Sequence, residues 1–311
     1  MRVAVVGAGG VGGYFGGKLA HGGTDVVFVA RGATLAALRT RGLRVDSIKG
    51  DFALDPVQAT DDPGAIGAVD AILLTVKAWQ IPEAVASIKP MVKNETAVIP
   101  LENGMEAPQQ IAQILGSKHA LGGLCAIVSF AVAPGHIRHI GADPFIMFGE
   151  LDNRPSERVE KLRGAFENAG VRAEVPPDIH RSMWSKFLFI APMSAIGAAT
   201  RAPIGVWRSM PETRELVTRA LREVLAVAAA RDIDLGDDAV ERTLDRYDAL
   251  PPESTSSLQR DVMDARPSEL DAQLGAVVRM GAEKGTPTPV FDTVYRALLP
   301  QERRARGDLL V

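Results

Sequence analysis

Two hydrophobic rhythms divide the chain. From residue 1 to about 175, short runs rich in β-branched residues alternate with stretches of helical period. "RVAVVG" reads as a buried strand, followed by a glycine turn and the helical "GYFGGKLAHGG". "DVVFVA" is a second strand, and "AVDAILLTVK" and "ETAVIPL" are later ones. Strands alternating with helices build a parallel, doubly wound sheet, because each helix carries the chain back before the next parallel strand begins. "DNRPSERVEKLRGAFENAG" follows as a helix with Asn or Ser near its start and Gly170 at its end, and "VRAEVPP" adds a last strand.

Beyond Pro176 and Pro177 the period becomes helical throughout. "RELVTRALREVLAVAAARDI" and "SELDAQLGAVVRMGAEKG" each carry an apolar stripe, the second with Gly285 as its C-cap, and no strand pattern interrupts them. The chain therefore reads as an α/β protein of two domains, residues 1–176 built on the parallel sheet and residues 177–311 all-α. A length of 311 residues supports the division, since it exceeds what one hydrophobic core usually organises.

Composition narrows the chemistry. The net charge of −3 supplies no basic field for nucleic acid or an anionic membrane surface. Cys125 is the only cysteine, which excludes an intramolecular disulfide and leaves no thiolate set for a zinc cluster, so no metal is expected. No signal-peptide pattern opens the chain, and no apolar run reaches the roughly 18 residues of a membrane span. The expectation is a soluble, cytoplasmic protein without nucleic-acid or membrane partners.

The turn after the first strand is the strongest motif. Gly7, Gly9 and Gly12 stand at GxGxxG spacing, with Ala8, Gly10 and Val11 between them, where a strand ends and a helix opens. That setting suits a Rossmann-type domain, in which backbone N–H groups at a helix start cradle a pyrophosphate. The alternative is a turn kept glycine-rich for helix packing alone. An NAD site usually places a carboxylate at the end of the second strand; here "VFVARGA" offers Arg31 instead. A guanidinium suits a phosphate monoester, which favours NADP(H), unless Arg31 is merely a solvated arginine. Lys77, ending "ILLTVK", belongs to the same carboxyl edge as a second positive charge, with Gln80 toward the adenine; ordinary surface polarity is the competing reading for both. Asn103, in "IPLENGM", is either a turn former or an amide near nicotinamide and substrate at the end of a central strand.

"WSKFLFIAPMS" places one ammonium, Lys186, among apolar side chains, where a lone cation is costly to desolvate. Either the stem packs while the amine reaches water, or the poor hydration readies the group to give up a proton.

The set "VGAGGVGGYFGGKLA", "ARG", "TVKAWQ", "LENG", "MWSKF" and "STSSLQRDVMDARPSELD", in this order, resembles the ketopantoate reductase (2-dehydropantoate 2-reductase) family over nearly the whole chain. The resemblance implies a Rossmann domain followed by a helical one, and NADPH-dependent reduction of a small 2-oxo acid in the cleft between them, as in pantothenate biosynthesis. It assigns Gly7 to Gly12 to the pyrophosphate, Arg31 and Lys77 to the 2′-phosphate, Asn103 to nicotinamide and substrate, and Ala131 to a backbone contact with the cofactor. Lys186 becomes the proton donor, Ser257 the substrate-binding serine, and Glu269, twelve residues later, an acid near substrate and cofactor. The family allows monomers and homodimers alike.

Three positions depart from that pattern. Where the family has asparagines four and eight residues after the lysine, and another in a following Pro-Asn-Gly, this chain has Ile190, Ser194 and Ile204. Each lost buried hydrogen bond costs about 1 to 3 kcal/mol, so a polar, hydroxylated acid should bind poorly. In a helix Lys186, Ile190 and Ser194 share one face, so Ile190 and Ser194 are expected beside the substrate, with Ser194 a direct contact. Glu269 is expected to hold the ammonium of Lys186, and Arg201 is either a replacement carboxylate anchor or a partner of helix-end carbonyls. Competing functions are a β-hydroxyacid dehydrogenase-like enzyme, against which the Ser257 to Glu269 motif argues, and a non-catalytic NADP(H)-binding sensor.

Overall fold

The computed structural model describes residues 1–309, apart from the side chain of Ala142. The chain divides into two compact units, Met1–Glu102 with Ala107–Ile179, and Asn103–Glu106 with His180 onward. The division thus falls three residues after the double proline, and it assigns the segment after "IPLE" to the helical unit.

The first unit runs β1 (Arg2–Val6), α1 (Gly10–His21), β2 (Asp25–Val29), α2 (Gly32–Arg41), β3 (Leu43–Ser47), β4 (Phe52–Leu54), β5 (Gln58–Thr60) and β6 (Val69–Leu74). It continues through α3 (Ile81–Ser87), β7 (Val92–Pro100), α4 (Ala107–Leu115), β8 (Leu121–Ala133), β9 (His136–Glu150), α5 (Glu157–Asn168) and β10 (Arg172–Glu174). Its main sheet is parallel throughout, in the order β5-β2-β1-β6-β7. The central strand shows why the hydrophobic run is unbroken. Val3 and Val5 join Tyr14, Phe15 and Leu19 of α1 in one core, while Ala4 and Val6 join Ile81, Ala84 and Val85 of α3 in another. A strand covered on both faces has no position to give to water.

Two expectations are corrected here. β7, read as a central strand, is the last in the order of its sheet. The unit also holds a second, mixed sheet, β10-β9-β3-β4 with β8 on β9, which the strand pattern did not separate from the first. β8 and β9 form a long antiparallel hairpin turning at Pro134-Gly135, whereas β9 runs parallel to β3 and β10.

The end of β9 is fastened by a buried ion pair. Glu150, 5% exposed, accepts from Arg158 Nε at 2.7 Å and Nη2 at 2.6 Å, and from Ser156 Oγ at 2.7 Å. Burial opposes the charge of Glu150, but Arg158 and Ser156 outweigh it and hold the carboxyl below its ordinary range. Arg158→Ala is expected to lower stability by about 3 kcal/mol, because it strands a buried carboxylate; a urea midpoint that does not move would refute the account. With the folded carboxyl depressed, the pair contributes fully above the ordinary carboxylate range, and its contribution is lost as pH falls through the folded value.

The second unit is helical: α6 (Ile179–Thr200, its first residue counted with the first unit), α7 (Ile204–Ser209), α8 (Pro211–Ala229), α9 (Ala239–Asp248), α10 (Ser257–Met263), a π-helical turn at Asp271–Gly275, α11 (Ala276–Glu283) and α12 (Pro289–Arg306). Phe187, Trp207, Tyr247 and Phe291 lie at its core with Leu221 and Val224 of α8. The Tyr247 hydroxyl among those rings is satisfied, donating to the carbonyl of Phe189 at 2.6 Å. Among the described residues, no helix is long and apolar enough to cross a membrane.

Candidate functional site

The glycine turn of the first unit leaves room at one position and none at another. Gly7 takes φ of +99° to turn the chain out of β1, and α1 begins three residues later with Gly9 as N-cap. Thr75, just past β6, locks the turn by donating its hydroxyl to the carbonyls of Gly7 at 2.5 Å and Val6 at 3.0 Å. A Cβ on Gly12 would strike the Gly7 carbonyl and that same Thr75 hydroxyl, so helix and turn touch with nothing between them. A Cβ on Gly9 would meet no atom within 4 Å. No side chain caps α1, so its first N–H groups remain available to an anion. An open Gly9 beside a free helix start fits a dinucleotide pyrophosphate.

The sheet order sets the other cofactor candidates along one edge. Arg31 lies just beyond β2 as N-cap of α2, and Lys77 just beyond β6. Arg31 is exposed, and its Nη1 donates to Glu83 Oε1 at 3.0 Å, a surface pair of the kind that yields readily to a stronger anion. The Lys77 ammonium lies 5.9 Å from the centre of the Trp79 ring. Gln80 is exposed, its Oε1 accepting from the Lys77 N–H at 3.2 Å. Ala131 sits on an exposed part of β8, and a Cβ on Gly10 would strike the backbone of Ser129 two residues before it, so β8 passes tightly by the start of α1.

In the second unit α6 presents Lys186, Ile190 and Ser194 at four-residue intervals. Lys186 and Ile190 are half-buried, while Ser194 is fully buried and its hydroxyl has no partner. The lysine is therefore less enclosed than its neighbours in sequence imply, with the exposed Ser185 directly before it. The expected clasp by Glu269 does not form, for no ion pair involves Lys186 among the described residues. Ile204, at the start of α7, is absorbed into the apolar core. Arg201, at φ of +56°, is exposed and donates to Gln301 Oε1 at 3.1 Å.

The serine pair divides its labour. Ser256 is the N-cap of α10, its Oγ accepting from the Gln259 N–H at 3.1 Å, which leaves the half-buried Ser257 hydroxyl unspent. Glu269 is 6% exposed, and Asn103 Nδ2 donates to its Oε2 at a long 3.4 Å. Asn103 and Glu269 are thus brought together.

Several supporting residues escaped the motifs. Buried Glu302 accepts from the Ser268 N–H through both oxygens and from Ser268 Oγ at 2.5 Å, while Arg306 bonds Glu302 at 2.6 Å and the Ser268 carbonyl at 2.7 Å. That network fixes the backbone directly before Glu269. Arg279 grips Glu106 with Nε at 3.1 Å and Nη2 at 2.7 Å, and Asp271 with Nη1 at 2.8 Å, tying down the segment that carries Asn103. Burial would raise the Asp271 carboxyl, but Arg279 and Tyr295 outweigh it and lower it; burial and Asp271 together push Tyr295 up to about 12. The Ser268–Glu302 and Glu106–Arg279 contacts join residues far apart in the chain.

Both halves of the chain match known family models, residues 3–153 the model described as ketopantoate reductase PanE/ApbA and residues 178–302 that of its C terminal. The chain belongs to the ketopantoate reductase family. Among relatives, it is 30% identical to an uncharacterized oxidoreductase, YkpB, of Bacillus subtilis (strain 168), over 96% of this chain and 98% of that one. It is 31% identical to a 2-dehydropantoate 2-reductase of Mesorhizobium japonicum, over 94% of this chain and 95% of that one. Among solved structures, a 2-dehydropantoate 2-reductase from Geobacter metallireducens GS-15 superimposes with a TM-score of 0.90 at 31% identity, covering 97% of this chain and 99% of that one. Membership makes the chain an oxidoreductase of the 2-dehydropantoate 2-reductase type, a class dependent on a nicotinamide dinucleotide.

Proposed function

We propose that this ketopantoate reductase family member reduces a small 2-oxo acid with NADPH, Lys186 giving the proton. The observation that carries the reading is the state of three groups in the helical unit. The Lys186 ammonium is half-buried and outside any ion pair among the described residues, the Ser257 hydroxyl is released from capping by Ser256, and Glu269 is buried beside Asn103. Spare donors on a fixed frame are what a carbonyl needs as it gains negative charge.

NADPH, when bound, supplies the hydride. Gly7 to Gly12 hold its pyrophosphate and Arg31 and Lys77 its 2′-phosphate, with Arg31 releasing Glu83 to do so; Gln80 and Ala131 border the same site. Lys186 Nζ protonates the substrate oxygen as it becomes an alcohol, Ser257 and Asn103 orient the acid, and Glu269 keeps the Asn103 amide turned to its task. Ile190 beside the lysine suits a less polar acid than ketopantoate.

Following loss of reduced-nicotinamide absorbance with a panel of 2-oxo acids tests the reading; tight NADPH binding with no turnover of any acid would sink it. Arg31→Ala is expected to weaken NADPH about tenfold to a hundredfold, the equivalent of a charged hydrogen bond of about 1.5 to 3 kcal/mol. NADH affinity should stay within about twofold, since it has no 2′-phosphate for Arg31 to hold. Equal losses for the two cofactors would refute the assignment.

A further inference from the structure

Gln273 is fully buried, and neither its amide oxygen nor its amide nitrogen meets a hydrogen-bond partner. A buried amide left unmatched costs about 1 to 3 kcal/mol, so native proteins seldom keep one without use. Among the described residues of the helical unit, the polar side chains buried and wholly without partners are this one and Ser194; Arg231, whose Nε is also unmatched, bonds Glu283 through Nη2.

Their positions are not scattered. Ser194 follows Lys186 by two helical turns on the same face of α6. Gln273 follows Glu269 by four residues, its N–H donating to the Glu269 carbonyl at 3.0 Å. It also sits inside the π-helical turn Asp271–Gly275, and such single turns of wider helix are frequent at functional sites. Two orphaned polar groups thus follow the two residues proposed to serve the reaction, Gln273 one turn after Glu269 and Ser194 two turns after Lys186.

We infer that Gln273 is a substrate-binding residue, its amide N–H donating to the carboxylate of the 2-oxo acid together with the Ser194 hydroxyl. The inference rests on the proposed reaction and deepens it. The chain lacks amides at Ile190, Ser194 and Ile204, and Gln273 restores one of them from a different element. One amide and one hydroxyl answer a carboxylate but leave little for further hydroxyls, and Ile190 presents hydrocarbon. The substrate class is a 2-oxo acid with an apolar side chain.

The test compares the full-length wild type with Gln273→Leu and Gln273→Met, the second matching the original length should the branched side chain not fit. Both variants should melt at the wild-type temperature or above it, because an unmatched amide is replaced by hydrocarbon. Both should raise KM for the preferred 2-oxo acid about tenfold, the loss of one hydrogen bond to a charged group, with kcat within about threefold and NADPH affinity unchanged. Melting temperatures lowered in both would show that the amide serves the fold and would overturn the inference. An unchanged KM in an active enzyme would overturn it too. A wild type that reduces no acid in the panel refutes the reaction before any variant is compared, so the two failures are distinguishable.

Discussion

Replacing Lys186 with alanine is expected to lower kcat by about 10²- to 10⁴-fold, the range for removing a positioned general acid, while NADPH affinity stays at its wild-type value. The structure separates those two readouts. The cofactor candidates Gly7 to Gly12, Arg31 and Lys77 belong to the first unit, and Lys186 to the second. It also argues that the loss will not be one of folding. Lys186 is half-buried and forms no ion pair among the described residues, so alanine strands no partner and leaves the apolar side of α6, Trp184, Phe187 and Leu188, in place. A melting temperature within a few degrees of wild type is the control. A kcat within tenfold of wild type would remove Lys186 as proton donor and shift attention to the Ser257 hydroxyl.

How far the sequence could have led depends on whether a feature is local. The strand, glycine turn and helix at the N-terminus were legible because β1 is buried on both faces and the turn needs a positive φ at Gly7, two constraints written in adjacent residues. The second sheet was not, because β9 takes partners from both ends of the unit, Arg44 of β3 opposite His136 and Arg172 of β10 opposite Phe145. The same distinction runs through the site. Lys186, Ser257 and Glu269 were visible as motif positions, but which serine would be spent on capping was settled only by the start of α10 at Ser257. Gln273 stood in plain view as a polar residue within the apolar stripe of "SELDAQLGAVV". Its meaning needed three-dimensional structure, since an unmatched amide is defined by everything that fails to reach it. Likewise the composition around Lys186 suggested a desolvated cation, whereas in α6 the residue is only half-buried.

Gly9→Ala and Gly12→Ala are expected to fail in opposite ways, and the contrast decides between a packing turn and a phosphate cradle. At Gly12 the new methyl would strike the Gly7 carbonyl and the Thr75 hydroxyl, and neither can retreat, since each is held by the bond between them. The helix must shift instead, at about 2 to 3 kcal/mol, toward the upper end of typical overpacking costs, and NADPH affinity should drop by about a hundredfold because the N–H groups move with it. At Gly9 the methyl meets no atom within 4 Å and the backbone φ of −82° is open to alanine. Stability should fall by less than about 1 kcal/mol, the modest penalty for alanine at an N-cap. NADPH affinity should still fall by about tenfold or more, because the space the methyl enters is the one through which a pyrophosphate approaches the backbone. Titrating cofactor binding by fluorescence alongside urea unfolding separates the two effects. If Gly9→Ala bound NADPH as the wild type does, the room at Gly9 would have no bearing on the cofactor, and the glycines would be explained by the contact of Gly12 with Thr75 alone.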